Sequence, residues 1–217
     1  MSGFDTIPYR PGIKLIHFRI WWIIFATMLF PSVLAKLEMP VPWMLFCVGI
    51  LALPACISDL KTLGVKSISL QDIVMTVLIT VLILILSGIA SKFWRFQLEH
   101  FGFKFHDKQD IAETISGGKS LLDLLLLYAS VCIITPIIEE VLFRRLIYSV
   151  FRKYDALAAF FATSAIFSVI HFFIPGIAGL FILGCGFQFI FLYRKNLACA
   201  MIAHSIVNTV AFFANRA

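Results

Sequence analysis

Seven residues in the second half of the chain carry the candidate chemistry: Glu139, Glu140, Arg144, Phe167, His171, His204 and Asn208. Most are polar groups set within apolar runs. A charged side chain at the centre of a membrane helix costs roughly 2.5–3.5 kcal/mol on insertion scales, so each one asks for a reason. In Glu139-Glu140-Val141-Leu142-Phe143-Arg144, which follows Pro136, Glu140 and Arg144 are four apart. On a helix they share a face and can pair. Glu139 is five positions from Arg144, roughly 140° around the axis at 100° per residue. Arg144 is therefore expected to neutralise Glu140 and to leave Glu139 facing elsewhere. Phe167 and His171 again stand four apart, so the ring can shield the imidazole. His204 and Asn208 repeat the spacing in the last apolar run and present an imidazole and an amide, which can both donate to one oxygen.

A carboxylate base, a histidine and a pair of donors are the parts needed to hydrolyse an amide with water. Other uses of the same residues stay open at this level. A Glu–Arg pair also ties helices together, and histidines or amides serve as interhelical glue. Two histidines and two glutamates can build a metal site, although no HExxH is present and zinc normally takes three protein ligands plus water. Carboxylates and histidines also form proton relays in transporters. Those proteins commonly show repeated halves, and no internal repeat is evident here.

The elements that position these residues follow from composition. Of 217 residues, 61% are hydrophobic and 14% charged, with a mean hydropathy of +0.97. An ordinary soluble domain carries about 25% charged residues, so a single soluble domain is excluded. Solid apolar runs such as Leu78–Ala90 and Leu124–Ile138 also exclude a β-barrel, whose strands alternate apolar and polar residues. The expectation is an all-α polytopic membrane protein of about seven to eight transmembrane helices, with a polar cavity among the last four. Apolar spans are predicted over Ile20–Ala35, Val41–Ile57, Ile73–Ser91, Ala156–Phe173, Ile177–Tyr193 and Leu197–Ala214. A long helical pattern covers Ser120–Tyr154 and is interrupted at Thr135-Pro136. Between them, Lys92–Lys119 holds five Lys/Arg and four Asp/Glu and reads as a loop with a possible interfacial helix. The chain forms one membrane domain over 1–217: N-terminal spans and polar loop over 1–119, then a functional core over 120–214.

The net charge of +6 sits in short groups between spans, where topology determinants and contacts with anionic lipid belong, so nucleic acid is not an expected partner. An N-terminus on the cytoplasmic side puts Lys61/Lys66, Arg144/Arg145/Arg152/Lys153 and Arg194/Lys195 inside; Lys92–Lys119 runs against the rule. Cys47, Cys56, Cys132, Cys185 and Cys199 lie in apolar runs without CxxC spacing and read as packing residues. At about 1.5 Å per residue, Glu139 lies roughly 21 Å from Lys153, His171 roughly 24 Å from Asp155 and His204 roughly 13 Å from Lys195. All fall within a hydrocarbon core about 30 Å thick.

The ordered set EExxxR, FxxxH and HxxxN, on separate helices of a small polytopic protein, resembles the CPBP family. These are the CAAX-protease and bacteriocin-processing (Abi) proteins, intramembrane glutamic endopeptidases related to type II CAAX prenyl endopeptidase. The resemblance covers about Ser120–Ala214 and leaves the first three spans without a motif. It implies that Glu139 acts with His171 to activate a water, and that His204 and Asn208 form an oxyanion hole. Glu140, Arg144 and Phe167 would support the site, with no cofactor and no metal. It further implies a membrane-associated peptide or protein as substrate: a prenylated tail, a leader peptide or a sorting signal. The expected location is the cell (inner) membrane, with the lipid bilayer as the other partner. Some members of such families act in bacteriocin immunity or secretion, which keeps a non-catalytic role in view.

Overall fold

A computed structural model describes residues 13–57, 64–105 and 120–215; the charges at Arg10 and Lys61 and the Gly117-Gly118 pair lie outside the described residues. Among the described residues every regular element is helical. Five helices are long and apolar enough to cross a membrane, and two shorter apolar ones, Val41–Cys56 and Ala156–Val169, accompany them. The protein is an all-α polytopic membrane protein. Its outer surface fits lipid: Leu78, Leu82, Ile85 and Ile89 stand at helical spacing and are each more than half exposed, a stripe that water would penalise.

The first span is one helical path made of α1 (Ile13–Ile24), a π-helical turn (Phe25–Leu29) and α2 (Phe30–Lys36). After α3 (Val41–Ile57) comes α4 (Leu70–His100). α4 opens with a capping box, in which Ser69 Oγ accepts from the Asp72 N–H at 3.1 Å and Asp72 accepts from the Ser69 N–H at 2.9 Å. Two N–H groups that a helix start leaves orphaned are thus satisfied. The predicted loop at Lys92–Lys119 is corrected over its first part, because residues 92–100 continue α4 as helix. Their polar groups keep helical spacing, and Arg95 Nε donates to Glu99 one turn on at 2.9 Å. At 31 residues α4 is about 46 Å long, well beyond the hydrocarbon thickness.

The long segment that follows consists of α5 (Leu121–Tyr128), a π-helical stretch (Ala129–Ile134), α6 (Thr135–Glu140), a second π-helical stretch (Val141–Ile147) and α7 (Tyr148–Phe151). The expected interruption at Thr135-Pro136 is a change of register, not a break. The Thr135 N–H donates to Ser130 O, five residues back. In that register the Val131 carbonyl points at position 136, a proline with no N–H to give. Asn208 supplies the donor instead, its Nδ2 reaching Val131 O at 2.8 Å.

Asp155 caps α8 (Ala156–Val169), accepting from the Ala158 N–H at 2.6 Å. The predicted span to Phe173 stops earlier, since Phe172 takes a left-handed φ of 50° and a 3₁₀ turn (Ile174–Gly176) leads into α9 (Ile177–Arg194). Lys195, also at φ 50°, and the cap Asn196 then turn the chain sharply into α10 (Leu197–Ala214). Asn196 Oδ1 accepts from both Ala198 N and Lys66 N at 3.1 Å, fixing this turn to the strand of chain ahead of α4.

α9 is the central packing element, lying against α4 on one side and α8 on the other. Gly184 lets it approach Ser164 so closely that a Cβ there would sit 3.1 Å from the Ser164 Cα. At Gly186 a Cβ would collide with the Ile83 side chain. Small residues at helix contacts are how membrane helices gain van der Waals packing without a hydrophobic driving force.

Candidate active site

α6 and the π-helical stretch after it carry Glu139, Glu140 and Arg144; α10 carries His204. Glu140 and Arg144 are both fully buried and pair across one turn, with Arg144 Nε 3.0 Å from Glu140 Oε2. The other oxygen of Glu140 accepts from His204 Nδ1 at 2.9 Å. A carboxylate can only accept from an imidazole, so this contact places the Nδ1 proton and leaves Nε2 directed at Glu139, 3.8 Å from its Oε2. Glu139 has a different environment: its side chain keeps 20% exposure where Glu140 has none.

The Arg144 guanidinium and the His204 imidazole are enclosed by aromatic rings. The Arg144 guanidinium carbon lies 4.9 Å from the centroid of Phe167, 5.7 Å from Phe187 and 5.8 Å from Phe143. Each is within cation–π range, and such contacts gain strength when desolvated. His204 stacks on Phe187 at 4.6 Å and 18° and meets the edge of Phe167 at 5.8 Å. Phe167 also touches His171, with centroids 4.8 Å apart, so one ring contacts both histidines and the arginine.

His171 itself lies just past the end of α8, in the turn. Its Nδ1 donates to Phe167 O at 2.7 Å, satisfying one of the carbonyls that a helix end leaves open. A carbonyl only accepts, so this bond assigns the proton to Nδ1 and leaves Nε2 with its lone pair in the neutral ring. His171 and Glu139 line the same cavity, of about 230 Å³. The cavity is also lined by Ile138, Leu142, Phe143 and Ile170, and by Ile23, Ile24 and Thr27 of the first span.

Asn208 is placed differently from the expectation that it and His204 aim at one oxygen. Its amide donates to Val131 O, while His204 holds Glu140. Helical spacing gives a shared face, but Pro136 and the π register create a carbonyl nearby that takes one amide proton, leaving the second N–H for other use. Among the described residues no group of three or more His, Cys, Asp or Glu is arranged to hold a metal ion. The lone pairs of Glu140 already face Arg144 and His204. Phe143, Phe187, Ile23, Ile24 and Thr27 are the site neighbours that motif reasoning missed. Phe143 sits inside the EExxxR motif, whereas Phe187 is one of several phenylalanines in an apolar run and has no local signal.

Residues 121–210 match the family model described as type II CAAX prenyl endopeptidase Rce1-like. No curated protein and no solved structure matches the chain. The Rce1-like match starts at the first residue of α5, ends within α10 and takes in the whole Glu139–Glu140–Arg144–His171–His204–Asn208 set. It is consistent with the CPBP resemblance of the three motifs, and with a CAAX-protease type of membrane endopeptidase. α1 to α4 lie outside the matched residues.

Proposed function

We propose that the protein is an intramembrane endopeptidase that cuts a membrane-associated substrate near its C-terminus or within its membrane segment, using a water activated by Glu139 and His171. One observation supports this reading above the rest: the two adjacent glutamates have divided roles. Glu140 is buried between Arg144 and His204, whereas Glu139 opens onto the cavity that also holds His171. A purely structural ion pair needs one carboxylate; the second, on a cavity wall, is free to take a proton.

In this mechanism the Glu139 carboxylate, assisted by Nε2 of His171, removes a proton from a water, and the oxygen bonds to the scissile carbonyl carbon. The tetrahedral oxyanion is met by donors from His204 and from the second N–H of Asn208. The proton then passes to the leaving nitrogen as the C–N bond breaks, and the carboxylate is regenerated. The oxyanion role requires a proton on Nε2 of His204 as well as on Nδ1. No metal or cofactor takes part in this scheme. Substrates of the proposed class are prenylated tails, leader peptides or sorting signals, presented at a cell (inner) membrane in which the N-terminus faces the cytoplasm.

The test compares membrane peptides of cells bearing the wild-type or the Glu139→Ala protein, by mass spectrometry. A substrate that accumulates uncut only in the variant supports the reading; unchanged processing in Glu139→Ala overturns it.

A further inference from the structure

The cavity beside Glu139 and His171 has a wall that comes from outside the family-matched half. Ile23 and Ile24 close α1, Thr27 lies in the π-helical turn after it, and all three line the cavity. Ile23 has no exposure and belongs to the same apolar core as Ile138 and Val141, so this wall is fixed to the floor that carries the glutamates. The Thr27 hydroxyl donates to Ile23 O at 2.8 Å, which spends its proton on its own helix. α1 thus offers the cavity apolar surface and no charge. Glu139 and His171 are the ionisable groups among the described residues that line the same cavity. The cavity, about 230 Å³, has room for the attacking water beside a substrate side chain.

We infer that α1 is the specificity wall of the site: Ile24, with Thr27, limits the size of the substrate side chain that flanks the scissile bond. The inference rests on the reading of Glu139 and His171 as the water-activating groups, since it takes their cavity as the place of cleavage. The chemistry of the wall also predicts what is refused. A basic side chain in this space would lose its hydration and pair with Glu139, occupying the base. An acidic one would be desolvated with no cation facing it.

The experiment uses the full chain in phospholipid vesicles and internally quenched farnesyl-cysteine peptides that differ only at the residue after the prenylated cysteine: Ala, Val, Leu, Phe or Lys. Relative kcat/KM values are read for wild type, Ile24→Ala, Ile24→Val, Ile24→Phe and Trp21→Ala. Enlarging the pocket with Ile24→Ala is expected to raise Phe relative to Val by about tenfold or more, the range a few methylenes command. Ile24→Val shifts the ratio the same way by less, and Ile24→Phe favours Ala. Trp21 lies on the same helix but is 68% exposed, and Trp21→Ala should keep the wild-type ratios. If wild type and Ile24 variants cut the series in identical ratios, α1 does not select and the inference falls, while the hydrolase reading stands. If Glu139→Ala cuts the series as well as wild type, the hydrolase reading falls and takes this inference with it.

Discussion

Two of the ion pairs among the described residues differ in place, exposure and surroundings. Asp72 and Arg194 join the start of α4 to the end of α9, with Arg194 Nε donating to Asp72 Oδ1 at 2.8 Å, and both side chains are part exposed at the helix rim. Glu140 and Arg144 form their pair within one helical stretch, with no exposure at all, enclosed by three phenylalanines and joined by His204. The rim pair can be hydrated in the unpaired state, so little is at stake in it. The buried pair cannot, and its desolvation makes it a poor way to gain stability. Its presence is explained by what it fixes: the orientation of His204 and the separation of Glu139 from Glu140.

The largest expected effect breaks the comparison at its functional end. Glu139→Gln should reduce cleavage about 10²–10⁴-fold, the usual contribution of a positioned general base, with thermal unfolding in detergent little changed, because Glu139 is the partly exposed member of the pair. Arg144→Met should be the costliest for stability. It strands Glu140 without its cation, and losing one partner of a buried pair costs about 3–5 kcal/mol, measurable as a lowered unfolding midpoint. Asn208→Ala comes next and acts twice. It leaves Val131 O unpaired, at about 1–3 kcal/mol, and would remove the proposed oxyanion donor, at about 10²–10³ in kcat; a trace of activity should survive. Asp72→Asn is the smallest: cleavage unchanged, and a slight loss of stability that shrinks further in high salt. A separate measurement sharpens the contrast from the chemical side. Prolonged treatment with a metal chelator should leave peptide cleavage at its starting level.

Much of this arrangement was legible in the sequence, for identifiable reasons. Solid apolar runs gave the helices, and the i, i+4 spacing of Glu140 and Arg144 gave their contact, since a helix fixes that geometry locally. Phe167 and His171 touch for the same reason, even though His171 lies beyond the helix end. What the sequence did not reveal depends on partners far apart in the chain. Nothing near Asn208 says that Pro136 will leave Val131 O in need of a donor, nor does anything near Ile24 say that it will face Glu139. The polar content of residues 92–100 also misled, because charged residues at helical spacing extend a helix past the bilayer as readily as they end it. Phe187 stayed hidden among its phenylalanine neighbours until α9 was placed against α10.

The Asn208–Val131 bond and the His204–Glu140 bond share one further property: both are closed by α10. In a ribosome-made chain this helix leaves the tunnel after every other described element. Until it arrives, Glu140 lacks its histidine and the Val131 carbonyl lacks its amide donor. On the proposed reading, a chain lacking Leu197–Ala214 would keep Glu139 and His171 but lose both the His204–Glu140 contact and the donor to Val131 O.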